Sequence, residues 1–317
     1  MNTSLVSIVI PMHNEQENVT TIYSELETIA SSSDFDIEIV MVNDGSTDDT
    51  AAALYELQQQ HPELKVIDFS RNFGKEIALA AGLHNCSGDA AIMIDADMQH
   101  PPRMIPEFVK RWRAGAEVVI GVRQGSAKNT ALINGMSVMY YKLMNTISDT
   151  FITPNATDFR LIDRQVIDAY NSFSEKGRIT RGLIDWLGFN RDFVEFEPDN
   201  RTNGEARYSF KARVRLAVDS FVSMSIFPLK LSMYIGGLIT LISGPLALYI
   251  AVDKLVLSNP FGFSFSGTSA LAVVVLFLSG ITLMNVGLMG YYVASIHRES
   301  LDRPLYVTRQ LKPSGND

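Results

Sequence analysis

Over its first two hundred residues the chain alternates short apolar runs with amphipathic stretches, and that pattern predicts the elements. Leu5–Ile10 is a β-rich run stopped by Pro11, and Glu17–Ala30 places Val19, Ile22, Tyr23, Leu26 and Ile29 at helical spacing. Ile37–Val42 predicts a second strand, after which Asp44-Gly45-Ser46 turns into a helix near Asp48–Gln60. Lys65–Phe69 predicts a third strand, followed by the loop Asn72-Phe73-Gly74 and a helix over Glu76–Leu83. Ala90–Ile94 and Val118–Gly121 predict a fourth and a fifth strand. Strands alternating with helices at this pitch predict βαβ units, hence an α/β domain whose mostly parallel sheet is covered on both faces.

The pattern changes in the last third. Leu231–Ala251 and Ala270–Ile296 are uncharged runs of 21 and 27 residues. A bilayer's hydrocarbon is crossed by roughly 20 apolar residues in a helix, so both predict transmembrane helices. Just before them, residues 207–230 are basic and amphipathic, and predict a helix lying in the headgroup zone of the lipid bilayer. The linker between the two runs, Val252–Ser269, holds a single lysine, Lys254, and no arginine, whereas Arg213, Arg215, Lys230, Arg298, Arg303 and Arg309 lie outside the pair. Positive charge of this kind stays on the cytoplasmic side, which predicts a multi-pass protein of the bacterial inner membrane with its large domain and both termini cytoplasmic. The expected organisation is a catalytic domain over residues 1–206, the juxtamembrane helix over 207–230, the membrane pair over 231–296 and a tail over 297–317.

Composition adds exclusions. The net charge of −8 argues against a general nucleic-acid binder. Cys86 is the single cysteine, so an intramolecular disulfide is impossible. The first residues, with no basic stretch and with Pro11 ending the apolar run, read as a strand rather than a signal peptide.

In parallel sheets ligands bind beyond the carboxyl ends of the strands, and the residues there carry the candidate chemistry. Asp95 and Asp97, delivered by Ala90–Ile94, repel each other unless a cation neutralises them. Mg²⁺ or Mn²⁺ bridging them to a substrate phosphate is one reading, with Gln99 adding a neutral oxygen; a solvated loop is the other. Asp44 and Gly45 either cap a helix or touch a ligand, and Asn14 and Glu15 carry the same ambiguity. Lys75, after the permissive Gly74, suits a phosphate or an ordinary turn. Asp158-Phe159-Arg160 opens a charged heptad that a salt-bridged helix start also explains. Membrane runs beside a phosphate-type site suggest an enzyme moving a phosphate-activated group onto something dissolved in the bilayer.

The stretches VSIVIPMHNEQENV, VNDGSTDDT, SRNFGKEIALAAGL, IDADMQHPP, TDFRLIDR, RGLIDWLGF and the RPLY tail resemble the family-2 glycosyltransferases with a GT-A fold, specifically the polyprenyl-phosphate glycosyltransferases. Bactoprenol glucosyltransferases are nearest among these, and dolichyl-phosphate mannose synthases are more distant. The resemblance implies that Pro11, Glu15 and Asp44 hold the nucleoside, with Asn14, Gly45 and Lys75 nearby. It implies that Asp95, Asp97 and Gln99 hold metal and diphosphate. Asp158 would be the base or acceptor-orienting group, with Arg160 beside it, and Arg123, Arg201 and Arg207 would grip the acceptor phosphate. Where relatives show Gly-x-Ser-Lys-Tyr this chain has Gly204-Glu205-Ala206-Arg207-Tyr208, which lacks the hydroxyl and exchanges Lys for Arg. The implied reaction is inverting transfer of glucose from a UDP-sugar donor to a polyprenyl phosphate acceptor, by a homo-oligomer, a tetramer in relatives. Another sugar on the same lipid (formamido-arabinose or mannose), a processive polysaccharide synthase and a non-catalytic scaffold are the competing readings.

Overall fold

The computed structural model describes residues 4–124, 156–197, 234, 238 and 267–309. The juxtamembrane stretch, Arg201, Arg207 and nearly all of the first uncharged run lie outside them. The described residues fall in two units, one of residues 1–209 with 303–317 and one of residues 210–302.

The first unit is built on β1 (Leu5–Met12), α1 (Val19–Ser32), β2 (Asp36–Asn43), α2 (Thr50–Gln60), β3 (Lys65–Asp68), α3 (Lys75–Asn85) and β4 (Ala90–Met93). After a short 3₁₀ turn come α4 (Ile105–Arg113), β5 (Val118–Arg123), β6 (Ala156–Asp163), α5 (Arg164–Asn171), α6 (Thr180–Trp186) and β7 (Arg191–Phe196). The seven strands lie in the order β3-β2-β1-β4-β6-β5-β7. Only β6 runs antiparallel to its neighbours β4 and β5. Its amino end therefore shares an edge with the carboxyl ends of the other six, and this puts Asp158 beside Asp95.

Strand side chains alternate between two cores, as the period of two requires. Ile8, Ile10, Met41, Ile92, Phe159 and Leu161 pack under α1, α2 and α4. Val9, Val40, Val42, Met93 and Ile162 pack under α3, α5 and α6. The small residues of α3 let it lie close to the sheet: a Cβ on Gly82 would sit 2.2 Å from a Val9 methyl. β1 runs on through Pro11 to Met12 beside β2 instead of stopping at the proline, because Pro11 lies past the last rung with β4, Val9 to Met93, where its missing N–H breaks no ladder on that side.

The residues after position 302 rejoin this unit. Thr308 bridges Phe69 in antiparallel fashion, with Ser70 N–H donating to Val307 O and Arg309 N–H to Asp68 O, each at 2.8 Å. The tail thus covers the free edge at the end of β3. Tyr306 stacks on Phe69 at 4.9 Å between ring centroids, and Asn85 donates to its hydroxyl at 3.3 Å.

The second unit contributes α7 (Gly267–Ser300), 34 residues and about 50 Å long at 1.5 Å per residue. Leu271, Val275, Val286, Met289, Val293 and Ile296 are all exposed on it. Its polar side chains turn inward: Thr282 donates to Leu278 O and Asn285 to Ile281 O. Counting only side chains that the structure describes, no helix is long and apolar enough to cross a membrane.

Tyr306→Ala is expected to lower stability by about 1–3 kcal/mol through loss of the stack over fully buried Phe69. Val307→Ala, at a position 48 % exposed, should stay within about 0.5 kcal/mol. Thermal melting of the two full-length variants tests this; equal midpoints would mean that the tail is not seated on the sheet.

Candidate functional site

The carboxyl edge of the sheet is knitted by buried polar side chains. Asp68 accepts from Asn43 Nδ2 and from the Tyr55 hydroxyl, both at 2.6 Å. Asn43 Oδ1 in turn accepts from Ser46, whose hydroxyl accepts from Asn14 N–H at 2.9 Å. Asn14 Oδ1 then accepts from Thr47 N–H, and Thr50 Oγ1 accepts from Glu15 N–H. Glu15 also accepts from Asn18 Nδ2. Asn14 and Glu15 are thus brought to the ligand edge, but the side chain of Asn14 is occupied in joining two loops.

Asp44 commits its carboxylate to the backbone of a neighbouring loop. Its carboxylate accepts from Phe73 N–H at 2.7 Å and Gly74 N–H at 3.0 Å, and the residue is 3 % exposed. Burial pushes its carboxyl above the usual range despite those two bonds. It does not cap α2 either, since Asp49 holds that position. What it does is fix the loop that launches α3. Gly45, at φ +56°, is needed where that loop crosses, because a Cβ there would sit 2.1 Å from the Arg71 carbonyl carbon.

The loop held by Asp44 aims Lys75 at two carboxylates. Its ammonium lies 2.6 Å from Asp95 Oδ1 and 3.0 Å from Asp158 Oδ2. Burial alone would lower the Lys75 pKa, but Asp95 and Asp158 outweigh it and raise it. Burial would likewise raise Asp158; the charge and hydrogen bond of Lys75, helped by Arg181 and Arg160, hold it below the usual carboxylate range. After β4 the chain turns sharply. Asp97 Oδ1 accepts from Gln99 N–H at 3.1 Å, and Met98 adopts φ +61°, a conformation side chains other than glycine seldom take. His100, 7 % exposed, braces the turn by accepting from Asp95 N–H at 3.1 Å while stacking on Phe159. Burial depresses its pKa, which keeps the accepting nitrogen unprotonated.

Arg160 is not available to a substrate, contrary to its expected place among the catalytic groups. It is 1 % exposed and pairs with Asp185 through contacts of 2.8 and 3.4 Å. It also donates to Thr157 O and Arg181 O. Two residues on from Asp158, it points to the same face of β6 but lies deeper, under α6. Arg123 ends β5, exposed at the same edge. His100, Asp185 and Arg181 received no role from sequence; all three lie in stretches that carried the resemblance, but only their neighbours revealed what each does.

Among the described residues no group of three or more His, Cys, Asp or Glu side chains forms a metal cage. Asp95, Asp97 and Gln99 do fit Mg²⁺ or Mn²⁺ as a partial set. Such ions prefer oxygen donors, and Mg²⁺ in particular is held by one or two carboxylates while waters and substrate phosphates complete its shell. The proximity of an ammonium to Asp95 shows that this corner already demands positive charge.

Residues 7–170 match the family described as glycosyl transferase family 2. The chain is 38 % identical over 304 residues to an uncharacterized glycosyltransferase of Bacillus subtilis, covering 96 % of this chain and 93 % of that one. It is 35 % identical over 307 residues to the bactoprenol glucosyl transferase of Shigella phage SfV, covering 97 % and 99 %. Among solved structures, mannosyl-3-phosphoglycerate synthase from Rubrobacter xylanophilus is similar in fold, with a TM-score of 0.50 at 18 % identity over 68 % of this chain and 71 % of that one.

Two outcomes follow from the geometry. Asp158, held low in the folded state, contributes stability that is complete above its unfolded pKa of about 4 and is lost as pH falls through its folded value. Lys75→Met removes the cation and lets burial raise that pKa. Wild type and variant should therefore differ most in melting temperature near pH 7 and converge below about pH 4; a gap independent of pH would deny Lys75 this role. Asp185→Ala leaves a buried guanidinium unpaired and should cost about 3–5 kcal/mol in chemical denaturation, far beyond a surface substitution.

Proposed function

The chain belongs to glycosyltransferase family 2 as a bactoprenol glucosyltransferase-like enzyme, and from that premise we propose that it transfers glucose from UDP-glucose to the phosphate of undecaprenyl phosphate. The observation that carries this reading is the convergence of Asp95, Lys75 and Asp158 at one sheet edge. A site with paired carboxylates and an adjacent ammonium suits a diphosphate donor and an anionic acceptor brought together. The protein is placed by this reading in the bacterial inner membrane, with the lipid tail in the bilayer and the catalytic domain cytoplasmic. The uncharged run of α7 and the basic stretch before the first run support that placement.

Asp95, Asp97 and Gln99 would hold Mg²⁺ or Mn²⁺, which supplies Lewis acidity toward the departing nucleoside diphosphate. Lys75 adds a second positive charge between donor and acceptor, and the His100 brace keeps Asp95 in register. The acceptor oxygen attacks the anomeric carbon on the face opposite the UDP group, which inverts the configuration there. A strong base is unnecessary, because the second pKa of a phosphate monoester is about 6 and the nucleophile is already anionic at neutral pH. The low pKa of Asp158 agrees with this: a carboxylate so readily ionised is a weak base, and its role is to orient Lys75 and the acceptor.

The test is transfer of radiolabel into a chloroform-soluble product by purified protein with undecaprenyl phosphate, a divalent ion, and UDP-glucose, UDP-galactose, UDP-N-acetylglucosamine or GDP-mannose. Metal-dependent label from UDP-glucose is expected. Asp97→Ala should abolish it together with metal-dependent donor binding, whereas Asp158→Asn should lose turnover and keep donor affinity. Label from a different donor alone would correct the sugar. Equal loss of donor binding in both variants would contradict the assigned roles.

A further inference from the structure

Arg181 stands at the start of α6, exposed to solvent, and among the described residues it forms no ion pair. Its main chain is nevertheless fixed from two sides. Arg160 Nη1 donates to Arg181 O at 3.3 Å, and the preceding amide, Thr180 N–H, donates to Glu76 Oε2 at 2.7 Å. Those anchors are the near neighbours of the site's own residues: Arg160 lies two positions beyond Asp158 on one face of β6, and Glu76 follows Lys75 on α3. The Thr180 hydroxyl, bonded to the buried Tyr170 hydroxyl at 3.2 Å, locks the same turn to α5. A seven-residue helix is thus bolted down at the residue whose side chain is left free.

The charge of Arg181 also reaches Asp158, where it supports Lys75 in keeping the carboxylate ionised. The two cations differ in what they have left to give. Lys75 is committed to Asp95 and Asp158 together, whereas Arg181 makes no ion pair among the described residues and acts on Asp158 only through its charge. An arginine presents a planar fork of donors that matches a phosphate bidentately. The donor diphosphate has its own place at the turn holding Asp95 and Asp97, so the group still needing a partner on the Asp158 side is the second anion.

We propose that Arg181 binds the phosphate of the acceptor beside Asp158, so that Lys75 and Arg181 hold the nucleophile between them. This inference rests on the polyprenyl-phosphate reading and names one contact within it. Arg181 would position the acceptor's phosphorus while leaving one anionic oxygen facing the sugar.

The experiment uses the full-length enzyme in detergent with undecaprenyl phosphate and UDP-glucose, comparing wild type, Arg181→Ala, Arg181→Gln and Arg181→Lys. The alanine variant is expected to raise KM for the lipid phosphate about tenfold to a hundredfold, the loss of a charged hydrogen-bonding partner. UDP affinity by calorimetry and the melting temperature should stay at wild-type values, and Lys should restore part of the acceptor KM. An unchanged acceptor KM overturns the assignment, and a parallel loss of UDP affinity overturns it in favour of the donor diphosphate. Should the alanine variant melt early, the glutamine variant is judged by the same criteria. Wild-type protein that labels no polyprenyl phosphate from any donor overturns the underlying reading as well; wild-type turnover with an unaltered variant overturns Arg181 alone.

Discussion

Carboxylates that must stand close together repel, and the arrangement of the catalytic edge answers that repulsion. Asp95 and Asp158 arrive from adjacent strands running in opposite directions, and one ammonium, Lys75, lies within 3.0 Å of both. Its position is set by Asp44, which grips the backbone of Phe73 and Gly74 just ahead of α3. The Asp68–Asn43–Ser46–Asn14 chain of hydrogen bonds holds the ends of β1, β2 and β3 in one frame beneath it. A buried polar network of this kind is favourable when its members are satisfied, and here each links one loop to the next. The acidic residues of the edge are thus of two kinds: Asp44 and Asp68 build the frame, while Asp95 and Asp158 converge on one ammonium and Asp97 lies in the Asp95 turn.

The regular half of the fold is legible in the sequence because it obeys simple periods. The first four strands and three helices fall within a few residues of where apolar spacing puts them. β6 is not legible in that way. Its charged residues, Asp158, Arg160 and Asp163, look like a helix start, since the burial that makes a charged strand tolerable is supplied from elsewhere. Arg160 finds its partner, Asp185, 25 positions later on α6, and no local pattern shows that pairing. The same holds for Asp44: an Asp-Gly-Ser turn before a helix resembles a cap, and only the approach of residues 71–74 reveals its true bonds. Composition identifies groups able to do chemistry, whereas topology decides which of them are consumed in building the site.

Seen as electrostatics, the site is held together by one ammonium shared between two carboxylates. Against burial, Asp95 first and Asp158 second raise the pKa of Lys75, and Lys75 in turn does most to depress that of Asp158, so the ammonium and the carboxylates keep one another charged. Neutral His100, stacked among Phe159 and Phe196, fixes the Asp95 turn without adding charge of either sign. The strained Met98 sits in the same turn, where backbone energy is stored in holding two carboxylates at fixed positions.

The tail segment that pairs just past the end of β3 carries a consequence for how the protein is made. Ser70 and Arg309 touch across 239 positions of chain. At roughly 5–20 residues per second, a ribosome needs on the order of 10–50 seconds to travel from one to the other. During that interval the nascent domain can assemble most of its sheet, but the corner at Asp68–Ser70, just past β3, waits with the groups the tail will pair still open, the kind of edge that invites foreign strands. The interval coincides with synthesis of the most apolar residues in the chain. Newborn copies on neighbouring ribosomes are therefore most exposed to mispairing just as they emerge with their stickiest segments, and the return of residues 307–309, rather than completion of the core, is what pairs this corner of the sheet.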